Sequence, residues 1–216
     1  ILGNDSLSQT CKDLANAISE NYAHKLINPE TGWVSGWKSR DGQLHDFGFL
    51  WINGVACAFG VMDESVIRKV LGNLERKRQE IFPESGYLGL PLNLFPIKES
   101  DHYLPRINKN YYSLAPTFET YTDGALSVCF MGYYLRALST YGYSERAKKI
   151  IDDVERGYVQ DKFHGPYGTG KEFVTWSGAD SGYEGTFLLN SAPLYAIAIE
   201  RGCLKPLDPE WWIDEQ

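Results

Sequence analysis

The chain has 216 residues, of which 43% are hydrophobic, 14% aromatic and 23% charged. That length can bury the core of one ordinary-sized domain, and interspersed charges of both signs exclude a disordered or low-complexity chain. A net charge of −7 argues against a nucleic-acid partner, and no stretch approaches the ~18 consecutive apolar residues that a membrane span needs. The chain opens Ile1-Leu2-Gly3 without Met, which suggests a processed or truncated product or part of something longer. Cys11, Cys57, Cys129 and Cys203 are widely spaced and form no metal-ligand pattern, so buried, reduced thiols are expected.

Hydrophobic periodicity predicts helices of two alternating kinds. Ser6 to Lys25 is amphipathic, with Leu7, Cys11, Leu14, Ala15, Ile18 and Tyr22 on one face. Phe47 to Met62 is apolar nearly all round, which implies burial on every side. Asp63 to Ile81 is amphipathic again, with Val66, Val70, Leu71 and Leu74 facing inward. Ala125 to Tyr141 is apolar; the amphipathic segment after it is capped by Ser144 and lined by Ala147, Ile150, Ile151 and Val154. A last apolar helix, Gly185 to Arg201, ends at Gly202 as its C-cap.

The order is therefore outer, inner, outer, inner, outer, inner. Inner-to-outer links are a residue or two, whereas the outer-to-inner links Leu26 to Asp46, Phe82 to Asp123 and Tyr158 to Glu184 are long. In antiparallel helix pairs links of one kind lie at one end, so the three long loops should share a face. Loops of this length in a compact domain are usually functional. The predicted fold is all-α: one domain over 1–216, an α/α toroid of about three helical hairpins with long loops on one face. A plain bundle or α-solenoid is the alternative, but the uneven spacing of the inner helices shows no solenoid repeat.

The first long loop carries a Pro29-Glu30-Thr31-Gly32 turn, then Trp33, Trp37, His45 and Asp46. The two indoles are candidate sugar platforms or packing residues of the rim. Asp46 is a candidate helix N-cap or a catalytic acid. The second loop holds His102, read as hydrogen-bonded or solvent-facing, and ends Phe118-Glu119-Thr120-Tyr121-Thr122-Asp123-Gly124. There Glu119 and Tyr121 should point toward the ring axis and Asp123 should cap a turn, with an acid as its functional alternative. The third loop is glycine-rich and brings Glu172, Trp176, Asp180 and Glu184 close to an inner-helix N-terminus. Some of these carboxylates should serve only as caps. Gly165 to Lys171 fits GxxxxGK, but Glu172 replaces the Ser or Thr of a P-loop. No metal or cofactor motif is present. An aromatic face studded with carboxylates matches glycoside hydrolysis, in which an acid protonates the leaving oxygen and a carboxylate activates water.

The run Gly168-Thr-Gly-Lys-Glu172-Phe-Val-Thr-Trp176-Ser-Gly-Ala179 resembles the last long loop of the six-hairpin, (α/α)6-barrel glycosidases, in particular trehalases and processing α-glucosidases. Phe118 to Gly124 resembles the segment leading into an earlier inner helix of those enzymes, and Asn28 to Trp37 an outer-helix exit. The resemblance implies an inverting glycosidase with Glu172 as catalytic base. Trp33, Trp37, Glu119, Tyr121, Trp176, Asp180 and Glu184 would then contact a carbohydrate substrate, and no cofactor, metal, nucleic acid or membrane would be involved. In those families the general acid is an Asp upstream of the matched region, which leaves Asp46, Glu119 and Asp123 as substitutes here. It also implies that three hairpins are half of a ring, completed by a second chain or an N-terminal segment outside this sequence. The rival readings are a non-catalytic glycan-binding or subunit-completing fragment, and a lyase or epimerase, the latter disfavoured by only four histidines.

Overall fold

The computed structural model describes residues 5–83, 86–101, 118–165, 170–185, 193–194 and 197–203. In chain order the elements are helix α1 (Asp5–Leu26), strands β1 (Trp37–Lys38) and β2 (Leu44–His45), helices α2 (Leu50–Ala58) and α3 (Glu64–Ile81), strands β3 (Leu90–Pro91) and β4 (Leu126–Ser127), and helices α4 (Gly132–Thr140) and α5 (Ser144–Val159). Short 3-10 turns cover Glu99–Asp101 and Cys129–Met131. Among the described residues the protein is mostly helical, with a small β component of two antiparallel two-stranded pairs, β1–β2 and β3–β4, that the helical periodicity did not announce. Of the sixth expected helix, residues 193–194 and 197–200 are helical, while 186–192 and 195–196 lie outside the described residues. Its expected stop at Gly202 is present: Gly202 has φ 70° and its N–H donates to the carbonyl of Ile199, while the N–H of Cys203 donates to that of Ala198. Among the described residues no helix is long and apolar enough to cross a membrane.

The two apolar segments form shorter helices than their periodicity suggested. Nine residues of Phe47 to Met62 are helical, because Phe47 and Leu50 are drawn into backbone bonds with Leu94 and Leu92 of the second loop. Likewise β4 and a 3-10 turn replace the first turns expected after Ala125. What brings α2 and α4 together is the missing side chain of Gly54. A Cβ there would stand 2.6 Å from the backbone nitrogen of Tyr134, closer than real Cβ atoms come. Around this contact lie Leu50, Ala56, Cys57, Leu135 and Leu138 from the inner helices, with Ile67, Val70, Leu71 and Leu74 of α3 and Ala147, Ile150, Ile151 and Val154 of α5. The α5 stripe is the one periodicity predicted; in α3 Ile67 is buried where Val66 was expected, and Val66 is half-buried.

The core also contains charge. Glu75 and Arg78 of α3 are 1% and 2% exposed. Arg78 donates to both carboxylate oxygens of Glu75, at 2.7 and 2.8 Å, and from Nη1 to the carbonyl of Phe82 at the end of its own helix. The hydroxyl of Tyr134, fully buried on α4, donates to Glu75 Oε2 at 2.9 Å. Burial first, and the Glu75 carboxylate next, push that hydroxyl well above its usual range, so it stays a neutral donor. A buried ion pair adds little stability compared with an apolar substitute, yet removing one partner strands the other in a dry interior.

Two helical expectations fail in instructive ways. Ser144 is the first residue of α5 rather than its cap; Tyr143 occupies the cap position, and Ser144 Oγ turns back to the carbonyl of Ser139. No residue of α1 is buried, and Leu7, Leu14 and Ile18 of its apolar stripe are 51%, 61% and 43% exposed. Only its last turns meet the core, through Tyr22, Ala23 and Leu26. All four cysteines are free thiols, but only Cys57 is buried; Cys129 is half-buried, and Cys11 and Cys203 are exposed. The expectation of buried thiols is corrected for those three, in the case of Cys11 because its helix face is uncovered.

Two substitutions test this core. Gly54→Ala should lower unfolding free energy by about 1–3 kcal/mol by driving α2 from α4, and Glu75→Ala by about 3–5 kcal/mol by stranding Arg78. Both are read from the urea midpoint at unchanged slope. Burial pushes the Cys57 thiol up to about 12, so native protein treated with iodoacetamide should be alkylated at Cys11 and Cys203 and spared at Cys57, as peptide mass mapping would show.

Candidate functional site

The three long loops are stitched together by backbone hydrogen bonds. The first meets the second where Leu50 N–H donates to Leu92 and Leu94 N–H to Phe47. The second pairs with the entry to α4 through β3–β4, Leu90 opposite Ser127 and Pro91 opposite Leu126. The third joins by a reciprocal pair between Leu126 and Val174, at 2.8 and 3.1 Å. These ties run across the N-terminal ends of α2 and α4, as the alternation of short and long links requires.

Within the first loop, Asp46 is neither an N-cap nor an exposed acid. Its Oδ2 accepts from Asn28 Nδ2 (2.9 Å) and Thr31 Oγ1 (2.8 Å), and its Oδ1 from Trp33 Nε1 (2.7 Å) and the N–H of Gly48 (3.0 Å). Phe49 occupies the cap position of α2. A carboxylate that accepts four donors holds the Pro29–Gly32 turn onto the helix entry and has no role to spare as a proton donor. The same arrangement removes Trp33 from the candidate platforms, since that indole is 3% exposed and bound to Asp46. Asn53, wholly buried on α2, completes the closure by bonding both the N–H and the carbonyl of Val34. Trp37 is exposed at one edge, but its ring stacks on His45 at 4.7 Å and 7°. It lines a groove of about 750 Å³ against Ile18, Tyr22 and Lys25 of α1.

Asp123 is likewise structural. It is 1% exposed and its Oδ1 accepts from Asn93 Nδ2 (2.9 Å) and the N–H of Ile97 (3.1 Å), while Asn93 Oδ1 accepts from Gly124 N–H. Trp176 bolts the third loop to the second: its Nε1 donates to the carbonyl of Gly124 at 2.7 Å, and its ring meets Phe82 and Phe118 edge-on. The role of Trp176 is thus packing, not an open platform. His102 lies outside the described residues.

Residues 171–184 turn back on themselves as an irregular hairpin, with Lys171 opposite Glu184 and Val174 opposite Asp180. Glu172, half-buried, donates its N–H to the carbonyl of Tyr183 at 3.1 Å, and the Tyr183 N–H donates to Glu172 Oε2 at 3.1 Å. Asp180 is exposed and pairs with Lys171 at 2.6 Å. Glu184 packs on the backbone of Gly165, where a Cβ would stand 2.5 Å from its Oε1. Next to Glu172, Phe173 anchors an aromatic string: Tyr121 meets it edge-on at 5.2 Å, Phe130 lies parallel at 6.4 Å, and Trp51 follows Phe130 at 5.8 Å. Trp51, Phe130 and Tyr121 are 38%, 36% and 40% exposed.

The segment carrying Glu119 and Tyr121 is strained. Both residues have left-handed backbones, φ 73° and 46°, and the Tyr121 N–H is held by Ser181 Oγ at 2.7 Å. Two non-glycine residues in that region within three positions cost of order 1–3 kcal/mol each, and such strain collects at functional sites. Half-buried Cys129 reports on the same spot: burial first, then the Glu172 carboxylate, raises its thiol. Among the described residues no three His, Cys, Asp or Glu side chains converge as a metal site.

Sequence reasoning therefore placed Glu172, Glu119, Tyr121, Asp180 and Glu184 in loops that do meet, and missed Trp51, Phe130, Asn93 and Ser181. Trp51 and Phe130 were hidden inside apolar runs that read as buried throughout. Their exposure is a property of the helix surface left uncovered, which hydrophobicity cannot mark.

Two measurements follow. Asp46→Ala should destabilise the protein by about 1–3 kcal/mol by leaving Trp33 and Gly48 without an acceptor, seen in the urea midpoint. Glu172→Gln removes a negative neighbour of Cys129, so its thiolate should form at lower pH and alkylate faster, about threefold per half pH unit of displacement, followed by mass spectrometry. No protein-family model matches the chain, and no curated protein matches it.

Proposed function

We propose that the chain forms the C-terminal half of the catalytic barrel of an inverting six-hairpin, (α/α)6 glycoside hydrolase acting on an oligo- or polysaccharide, with Glu172 as the general base. The observation that supports this most is the convergence at one helix end of a half-buried Glu172, a strained Glu119–Tyr121 segment, and a string of partly exposed aromatic rings. Helices α1 and α2, α3 and α4, and α5 with the last helical residues would be three consecutive hairpins of an α/α toroid. The reading of the Gly168–Ala179 motif as a glycosidase loop rests on sequence resemblance.

In this reading Trp51, Phe130 and Tyr121 present ring faces and edges to the apolar faces of sugar rings. Glu172 takes the proton of a water as that water attacks the anomeric carbon, and a carboxylic acid protonates the departing oxygen on the opposite side. Asp46 and Asp123 are consumed by structural bonds, so Glu119 is the one substitute acid among the three that the geometry leaves in play. Asp180 and Glu184 border the same hairpin as polar contacts. A second chain or an N-terminal segment outside this sequence would complete the ring, and the exposed stripe of α1 is the surface it would cover.

The second reading is a non-catalytic, glycan-binding or subunit-completing toroid fragment. The observation in its favour is that Asp46 and Asp123 are tied up, which leaves Glu119 of the three substitute acids. Glu172→Gln should lower hydrolysis of a matching glycan by about 10²–10⁴-fold while leaving the circular dichroism spectrum and urea midpoint unchanged. Unaltered turnover would remove Glu172 from the chemistry. Glycan binding with no hydrolysis by the parent protein, in every oligomeric state found by light scattering, would favour the second reading.

A further inference from the structure

His45 sits at the end of β2, 9% exposed, between two polar groups that its ring must satisfy. Nδ1 lies 2.8 Å from Oδ2 of Asp101, which closes the 3-10 turn of the second loop. Nε2 lies 3.1 Å from the hydroxyl of Ser39, at the start of the turn joining β1 to β2. Trp37, its cross-strand partner, covers one ring face. The arrangement has the outline of a Ser–His–Asp nucleophile triad, but the hydroxyl proton decides otherwise. Ser39 Oγ has one proton and three acceptors in reach: Asp41 Oδ1 in a very short contact, His45 Nε2, and the carbonyl of Gln43 at 3.3 Å. The charged, closest acceptor is Asp41, and the N–H of Gln43 also donates to that carboxylate oxygen at 3.1 Å. The Ser39 hydroxyl and the Gln43 N–H hold the Asp41 carboxyl below the usual carboxylate range, so it stays an acceptor. With the serine proton directed at Asp41, Ser39 offers His45 a lone pair, which a donor at Nε2 would match, and the Asp101 carboxylate calls for a donor at Nδ1.

We infer that His45 is a proton-operated latch: as an imidazolium it ties the Ser39–Gln43 turn to Asp101 partway along the second long loop, and on losing a proton it releases the turn side. Neutral imidazole has one N–H. The charge-assisted bond to Asp101 retains it, which leaves the lone pairs of Nε2 and Ser39 Oγ facing each other unless the hydroxyl abandons Asp41. Either way a bond in the turn is lost. Histidine is the side chain that ordinarily changes charge between about pH 5 and 8.

Among the described residues the charged groups around the ring are few. Asp101 touches it and Asp41 reaches it through one hydroxyl. Lys38 and Arg40 on the turn, and Lys98 and Glu99 beside Asp101, are exposed. From α1, Lys25 lines the same groove as Ser39. Asp46, next along the chain, is committed to its own four donors. The inference stands apart from the glycosidase reading, since none of these groups touches Glu172 or its aromatic string.

The test follows the ring nitrogens of His45 and the amides of Ser39–Gln43 by nuclear magnetic resonance on the whole chain, from about pH 5 to 8. At the acid end both ring nitrogens should carry protons. As pH rises Nε2 alone should lose its proton, and in the same transition the turn amides should lose about tenfold of their protection against hydrogen exchange. Ser39→Ala and Asp41→Asn should each uncouple the turn from the titration while Asp101 keeps its bond, and His45→Gln should make the turn insensitive to pH. Because Ser39 and Asp41 lie in an exposed turn, their variants carry the test even if His45→Gln fails to fold. The inference is overturned if His45 is neutral at the acid end, if Nδ1 deprotonates first, or if turn protection does not follow the His45 titration. It is equally overturned if the Ser39→Ala turn responds as the parent does, or if a fluorophosphonate labels Ser39 in a His45-dependent manner, which would place the serine proton on the imidazole.

Discussion

The close approach of α2 to α4 at Gly54 is the constraint on which the rest of the structure depends. A helix pair in contact at the backbone must carry a residue without a side chain at the crossing, and Gly54 against the nitrogen of Tyr134 is that point. From there the geometry propagates in two directions. Outward, the ring of Tyr134 is carried into α3, where its hydroxyl satisfies the buried Glu75–Arg78 pair and locks the outer helix in rotation. Toward the loops, the N-terminal ends of α2 and α4 are brought side by side, so Trp51 of one comes within ring contact of Phe130 at the head of the other.

Two carboxylates, the half-buried Asp46 and the buried Asp123, then act as fasteners for the loops. Asp46 gathers donors from Asn28, Thr31, Trp33 and Gly48, and Asp123 gathers Asn93 and the N–H of Ile97. Long loops expose backbone donors that a sheet or helix would normally satisfy, and an acidic side chain that accepts several of them does so at one position. This explains why the chain is rich in carboxylates beside its inner-helix entries without all of them being chemical groups. The third-loop hairpin, with Glu172 held by Tyr183 and the strained Glu119–Tyr121 segment beside it, is the part of this face on which the proposed function rests.

The uneven burial of the outer helices carries a related lesson. Helix α5 buries the stripe that its periodicity marks and α3 all of its stripe but the half-buried Val66, whereas α1, whose periodicity also reads as amphipathic, has no buried residue. An apolar stripe states that a face is suited to contact and is silent about whether a partner is within reach. The same distinction separates Phe47 to Met62 from the nine-residue helix it becomes. Hydrophobicity there was legible, but the backbone of Phe47–Leu50 is claimed by the second loop, a pairing of residues more than forty positions apart.

By itself the sequence determined the mostly helical character, the short links after α2 and α4, the Gly202 stop, the Pro29–Gly32 turn, the inward stripe of α5 and all of that of α3 but Val66. These depend on neighbours within a few positions, where 3.6-residue periodicity and turn chemistry operate. Only the tertiary structure decided which polar groups are fasteners and which stay available. Asp46 and Trp33 look like an acid and a sugar platform until they are seen bonded to each other, and Trp51 and Phe130 look buried until the helix surface beside them is seen uncovered. Hydrogen-bond satisfaction and exposure are set by residues distant in the chain, and no local pattern records them.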